Sequence, residues 1–514
     1  MKKSRKLSLI GITSLMALTI VGCGGGGSDD GHRIIIWTTF NDQYGKIINN
    51  AIQDFQAKYK NLGYKITYKK QNGSYDDLKS MVTKGASTMN IPDLVVAYPD
   101  SVADFLMSGV GLNVQPYMES TEEVECYDLD TKELTSETIG WTDEDMTDIP
   151  DEYIAEGQSY VIPGTYSLPL CKSTEAMYYN HGVLVGLNLE DDEINDGKPL
   201  DEAYLESLTW DELFNKLCPA LVAYNDAQPA SGKIMKPAGK ASTTAVIGFH
   251  SDDNLFITLA EQYGLGYTAI ENYQGVIKFV KKNEDGSFKD VADGYYELMD
   301  KFGDAYRKGY LTTTGSLGES ASYLYTGGGM LFTVGSTGGT KYAFDATNAP
   351  DSRPAMIPQA DLSHKKVINQ GPSLAFLKRR KGTDEQMATR ALGTWLFYKE
   401  LTNKNHNIEW AVGTGYAPLR LSVSESQDFL DYTDVSKTAA NSLERLNAYT
   451  AKYVATAISS YFSNVVYYGS SKARSAVSGI MAECLKAAKQ YTPGTQQYHD
   501  AVKAKFSEGY NNAI

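Results

Sequence analysis

This sequence holds the residue types that do chemistry, but few stand at spacings that chemistry uses. Its six histidines lie at 32, 181, 250, 364, 406 and 499. None is paired at the interval that would set two imidazoles on one metal, so each reads as a surface or internally satisfied side chain. Cys126, Cys171, Cys218 and Cys484 are too widely spread for a metal-type pair or a disulfide scaffold, although one bridge stays open. HExxH, GxSxG and GxxxxGK[ST] are all absent. Adjacent tyrosines at Tyr178-Tyr179, Tyr295-Tyr296 and Tyr467-Tyr468 could hold ferric iron, yet strand or helix packing explains two of the three pairs better. Carboxylates are too numerous to exclude a glycosidase pair, because the required separation is spatial. The motifs therefore give no evidence for catalysis, a cofactor or a metal, and none against catalysis.

Charge narrows the partners. The net charge of −15 argues against nucleic acid, which needs a basic surface. Residues 119–156 alone carry fifteen Asp or Glu against the single Lys132, and read as a solvated surface insertion. Asp128 and Asp130 could offer oxygen ligands to calcium, but the glycine and distal glutamate of an EF-hand loop are missing. A second acidic stretch, Glu190 to Asp196, reads the same way. The 36 tyrosines suit a wet binding cleft without proving one.

The N-terminus sets the compartment. Lys2, Lys3, Arg5 and Lys6 precede an apolar run from Leu7 to Val21, the pattern of a secretory signal too short for a membrane span. The run TIVGC resembles the lipobox of bacterial lipoproteins, which implies removal of residues 1–22 and acylation of Cys23. Residues 23–33, with Gly24 to Gly27 and then Ser28, Asp29 and Asp30, form a flexible tether. The expected product is lipid-anchored on the outer face of the cell membrane.

Behind these positions stand alternating strand and helix signals. About 490 mature residues exceed what one core supports, so two lobes are expected. Arg33-Ile34-Ile35-Ile36-Trp37 is a buried-strand run. Tyr44, Ile47, Ile48, Ala51, Ile52, Phe55 and Tyr59 then recur on one helical face. Ile66 and Tyr68 alternate with polar neighbours, Ser74 and Asp77 form a capping box, and Pro92 to Tyr98 reads as a fully buried third strand. This β-α-β-α order predicts an α/β lobe on a mostly parallel sheet. Met330 to Val334 is a further strand between two glycine-rich turns, Gln386 to Tyr398 is helical, and the last hundred residues are chiefly helical.

In order along the chain, RIIIWTTF, PDLVVAY, STEAMYYN, GGGMLFTVGSTGG, VINQGPSLAFLK and EWAVGTGYAPLR resemble family 1 extracellular solute-binding proteins. That family includes maltose- and glycerol-3-phosphate-binding proteins of ABC importers. The resemblance covers about 34–118 and 160–510. It implies a two-lobed α/β fold of periplasmic-binding-protein type II, with the ligand in a cleft between lobes that close about a hinge. Lobe 1 would comprise 34–170 and 368–402, with the acidic insertion at 119–156. Lobe 2 would comprise 171–367 and 403–514.

Carried over residue by residue, the resemblance makes Tyr75, Asp100, Ser173, Ser336, Gly371 and Tyr416 ligand-contacting positions. Phe256 falls on an aromatic platform, and Asp253 replaces the aromatic at a neighbouring one. Trp37 and Trp410 are further platforms or core residues. An arginine that binds phosphate in the glycerol-3-phosphate branch is matched here by Tyr467, although Lys472 or Arg474 stands near enough to restore a charge. The implied function is capture of a neutral sugar or oligosaccharide by a monomer that delivers it to membrane-bound ABC permease subunits. A glycerol-3-phosphate or glycerophosphodiester ligand is the alternative, and a cell-surface polysaccharide-active enzyme or a sensory binding protein the remaining classes.

Overall fold

The computed structural model describes residues 30–514 apart from 188, 190–193, 241 and 415. Cys23, the signal segment and most of the tether lie outside the described residues, as does much of the second acidic stretch. Ten strands form two five-stranded sheets. In chain order they are β1 (Arg33–Thr38), β2 (Lys65–Lys70), β3 (Leu94–Ala97), β4 (Ser167–Pro169), β5 (Glu175–Asn180), β6 (Ile247–Phe249), β7 (Leu311–Thr313), β8 (Phe332–Ser336), β9 (Ser352–Ala355) and β10 (Ser373–Phe376).

The first sheet runs β2-β1-β3-β10-β4. Ile34 and Ile36 are buried on β1, and all four residues of β3 are buried, as their apolar runs require. The helix Asp42–Lys58 starts where Asn41 accepts a hydrogen bond from the Tyr44 amide, and it buries Ile47, Ile48, Ala51, Ile52 and Phe55. Ser74 and Asp77 make the expected capping box and open the helix Tyr75–Gly85. The sheet is mostly parallel, as expected, with one strand reversed. The first three strands are parallel, but β10 pairs antiparallel with both β3 and β4, so this sheet is mixed. A strand returning from the other lobe arrives from the opposite direction.

The second sheet runs β7-β6-β8-β5-β9 and buries the helices Asp252–Gln262, Tyr295–Arg307 and Ser470–Gln490 around it. Three passages join the lobes. Residues 170–174 lead from β4 to β5, and 356–372 lead back from β9 to β10. These two touch: Ser173 and Gln370 exchange backbone hydrogen bonds, each 2.9 Å. The third passage follows the helix Lys404–Thr414. That helix, expected with lobe 2, packs instead on Asp42–Lys58 beside the first sheet, and the chain joins the second sheet only with Leu443–Ala457.

The acidic insertion is not merely a solvated surface. It forms a hairpin, Glu123–Tyr127 with Leu134–Thr138, and two short helices, Asp143–Asp148 and Asp151–Glu156. Glu137 meets Lys58 at 2.8 Å, Asp145 and Asp148 hold the buried Arg420 at 2.8 and 3.2 Å, and Glu156 holds the buried Lys172. Asp128 caps its own turn, accepting from the amides of Asp130 and Thr131. No cluster able to hold a metal occurs among the described residues, and no helix there is long and apolar enough to cross a membrane. Cys126, Cys171, Cys218 and Cys484 are free and buried, so the bridge left open by the sequence does not form.

Candidate functional site

Between the two sheets lies a cavity of about 870 Å³. The first lobe lines it with Tyr75 and Asp76 at the start of one helix, and with Tyr98, Pro99 and Asp100 where β3 passes into the helix Pro99–Met107. The passage before β10 adds Ile368, Asn369 and Gln370. The second lobe adds Asp253, Asn254, Tyr267, Ser470 and Arg474. Placement at the ends of strands follows from α/β geometry, in which connecting loops gather at one edge of the sheet.

Tyr75 and Tyr98 meet edge to face, ring centroids 4.8 Å apart. Tyr98 keeps part of its ring exposed, but loss of water around both hydroxyls pushes them above the ordinary tyrosine range, so they stay neutral and can both donate and accept. Asn369 is nearly buried; its Nδ2 donates to Ser463 Oγ at 3.1 Å, and its Oδ1 has no protein partner. Reversing the amide would still leave one of its ends unmet, because Ser463 satisfies only one. Asn254 is fixed from two sides. Its Nδ2 donates to Glu175 Oε1 at 3.0 Å, and its Oδ1 accepts from Arg474 at 2.9 Å.

Of the positions named from sequence, Tyr75, Asp100 and Asp253 line this cavity. Asp100 accepts from Ser470 Oγ at 2.6 Å, and Asp253 holds Arg474 at 2.7 Å. Phe256 does not line it. It is fully buried, stacked on Tyr295 at 5.2 Å and packed against Phe279 and Phe506, so it is core and no platform. Ser173 is buried in the passage between lobes, where its backbone ties to Gln370. Gly371 has φ +109°, and a Cβ there would fall 2.5 Å from the Cys171 carbonyl oxygen, so the neighbouring passage by itself requires glycine. Ser336 is an exposed cap whose hydroxyl accepts from the Gly338 amide. Tyr416 reaches across to the second lobe, its ring lying where a Gly338 side chain would be, 2.8 Å from that Cβ position. Trp410 is core, packed on Phe40 and Tyr44 at 5.5 and 5.6 Å, and Trp37 is buried in the same core.

Sequence reading passed over Tyr98, Asn254, Tyr267, Asn369 and Gln370. A signal existed for two of them, since Asn369-Gln370 is a polar pair between an apolar strand and a glycine. Tyr467 stays outside the cavity, its ring against Gly275, while Arg474 is the guanidinium that enters.

Two mixed sheets, three passages between them and a cavity at their junction define a two-lobed binding protein. Residues 50–440 match the family described as bacterial extracellular solute-binding protein, and the chain belongs to that family. No curated protein matches it in sequence. Among solved structures, the GacH receptor of Streptomyces glaucescens, determined unliganded and with acarbose, aligns at TM-score 0.57 and 14% identity, covering 94% of this chain and 98% of that one. The cyclic alpha-maltosyl-1,6-maltose binding protein of Arthrobacter globiformis gives 0.58 and 13%, covering 93% and 99%. UgpB of Mycobacterium tuberculosis, in complex with glycerophosphocholine, gives 0.58 and 16%, covering 95% and 98%. At these identities the likeness is one of fold.

Proposed function

We propose that the protein captures a neutral sugar or oligosaccharide in this cleft and delivers it to the permease of an ABC importer, without altering it chemically. The lining of the cavity carries this reading. Tyrosine faces suit sugar C–H surfaces, while the amides of Asn369 and Gln370 match hydroxyls that both donate and accept. The acarbose-bound and maltosyl-maltose-binding neighbours support the same ligand class. Cys23, acylated, would hold the protein as a monomer at the outer face of the membrane. Lobe closure about the three passages would bury the ligand.

The test is calorimetry of the purified protein against maltose, maltotriose, other neutral oligosaccharides, glycerol 3-phosphate and glycerophosphocholine, after a thermal-shift screen of the same panel. Saturable binding of a neutral saccharide, with a smaller radius of gyration in scattering, is the expected outcome. Binding of the phosphate compounds alone overturns the carbohydrate assignment. Release of a shortened saccharide overturns the assignment as a pure binding protein.

A further inference from the structure

Arg474, on the second-lobe helix Ser470–Gln490, is held from both sides of the cleft. Its Nη1 donates to Asp253 Oδ2 at 2.7 Å and to Asn254 Oδ1 at 2.9 Å, both on the helix Asp252–Gln262. Its Nε lies 3.4 Å from Asp100 Oδ2, on the first lobe. Asp100 is fixed in turn by the Ser470 hydroxyl, 2.6 Å from its other oxygen. One guanidinium thus meets two carboxylates, one from each lobe, and the group carries a net single negative charge. Burial raises the Asp253 carboxyl, but Arg474 and Ser251 more than offset that, leaving it below the usual carboxylate range and ionised.

We infer that Asp100 and Asp253 determine specificity: by occupying Arg474 from both lobes they deny an anionic ligand its counter-charge and leave the cleft to neutral polyols. Guanidinium binds phosphate through two parallel hydrogen bonds from neighbouring nitrogens, and here Nη1 is taken by Asp253 and Asn254 while Nε faces Asp100, so neither two-donor edge is clear of a carboxylate. A phosphate would have to displace both and then face their repulsion at close range. Two of the three lysines lining the cavity are already paired with carboxylates. Lys79 lies 3.2 Å from Asp76 and 3.9 Å from Asp104, while Lys505 lies 3.3 Å from Glu508 and 3.8 Å from Glu483. Lys472 donates to the Ile514 carbonyl at 3.3 Å.

The inference rests on the solute-binding reading but is tested without knowing the natural ligand. Inorganic phosphate and glycerol 3-phosphate are titrated into wild type and into Asp100→Asn/Asp253→Asn, by calorimetry and by the NMR signal of the Arg474 Nε–H. Wild type should show no saturable binding and an unmoved Arg474 signal. The double variant should bind both at least tenfold more tightly, and Arg474→Gln added to it should abolish the gain. Should the double variant fail to fold, Asp100→Asn alone, at the first-lobe side, should move the same way. Saturable phosphate binding at Arg474 in wild type overturns the inference, as does a folded variant with unchanged affinity. If wild type binds neither phosphate nor any neutral saccharide, the carbohydrate proposal falls, while the gain of phosphate binding in the variant still decides the role of the two carboxylates.

Discussion

Glu175 gives one carboxylate oxygen to the Asn254 amide at 3.0 Å and leaves the other without a partner, beneath the floor of the cleft. Burial raises its carboxyl to about 7, with the Asn254 hydrogen bond opposing, Asp253 adding to the rise and Arg474 countering it. Because the folded value exceeds the ordinary 4.5, folded protein keeps a proton that the unfolded chain releases in between. The resulting stability is fully present below about pH 4.5 and is lost as pH rises through 7. Glu175→Gln removes this dependence. Its unfolding free energy relative to wild type should climb between pH 4.5 and 8, by at most about 3 kcal/mol. Urea unfolding at several pH values measures it, and a pH-independent difference would contradict the assignment.

Lys172 is fully buried in the first passage between lobes and pairs with Glu156, which also accepts from Ser373 Oγ at 3.2 Å. Lys172→Met leaves that carboxylate uncompensated and should cost about 3–5 kcal/mol. Lys172→Met with Glu156→Gln should recover most of the loss. A double-mutant cycle by chemical denaturation gives the coupling directly, and additive costs would mean the pair is not coupled.

Phe256 and Tyr98 should separate stability from recognition. Phe256→Ala opens a cavity in the second core and should cost about 3–5 kcal/mol. Tyr98, 40% exposed at the cleft, should change stability little when cut to Ala, yet lower affinity for a saccharide identified by screening about tenfold. Denaturation and calorimetry on both variants would expose a reversal of roles.

Cys23 should be the acylated N-terminus of the mature protein. Mass spectrometry should find the lipid on that residue, and Cys23→Ser should leave the protein uncleaved or released into the medium. An unmodified peptide running through Cys23 would refute the anchor.

Local rules made much of the first lobe readable. Ile34, Ile36 and Leu94 to Ala97 announce buried strands, and Ser74 with Asp77 announces a helix start, because each signal lies within a few residues. Phe256 came from the family resemblance alone, and its helix is buried on nearly every face, so nothing in the local pattern separates a core aromatic from a cleft one. The carboxylates of 119–156 looked solvated because their cations, Lys58, Arg420 and Lys172, lie elsewhere in the chain. Arg474 with Asp100 is the clearest case. The two residues are 374 positions apart by their numbers, and neither neighbourhood hints at the other.

Strand β10 enters the first sheet beside β3, and Arg379 just beyond it closes on Asp93, 286 residues earlier. A chain emerging from its N-terminus therefore makes the edge of β3 long before it makes the strand that covers it. Until residue 376 is available, that apolar edge offers unpaired amides and carbonyls to any passing strand. Such late, long-range closure is slow to fold. A chain truncated in the interval between β3 and β10 is expected to aggregate.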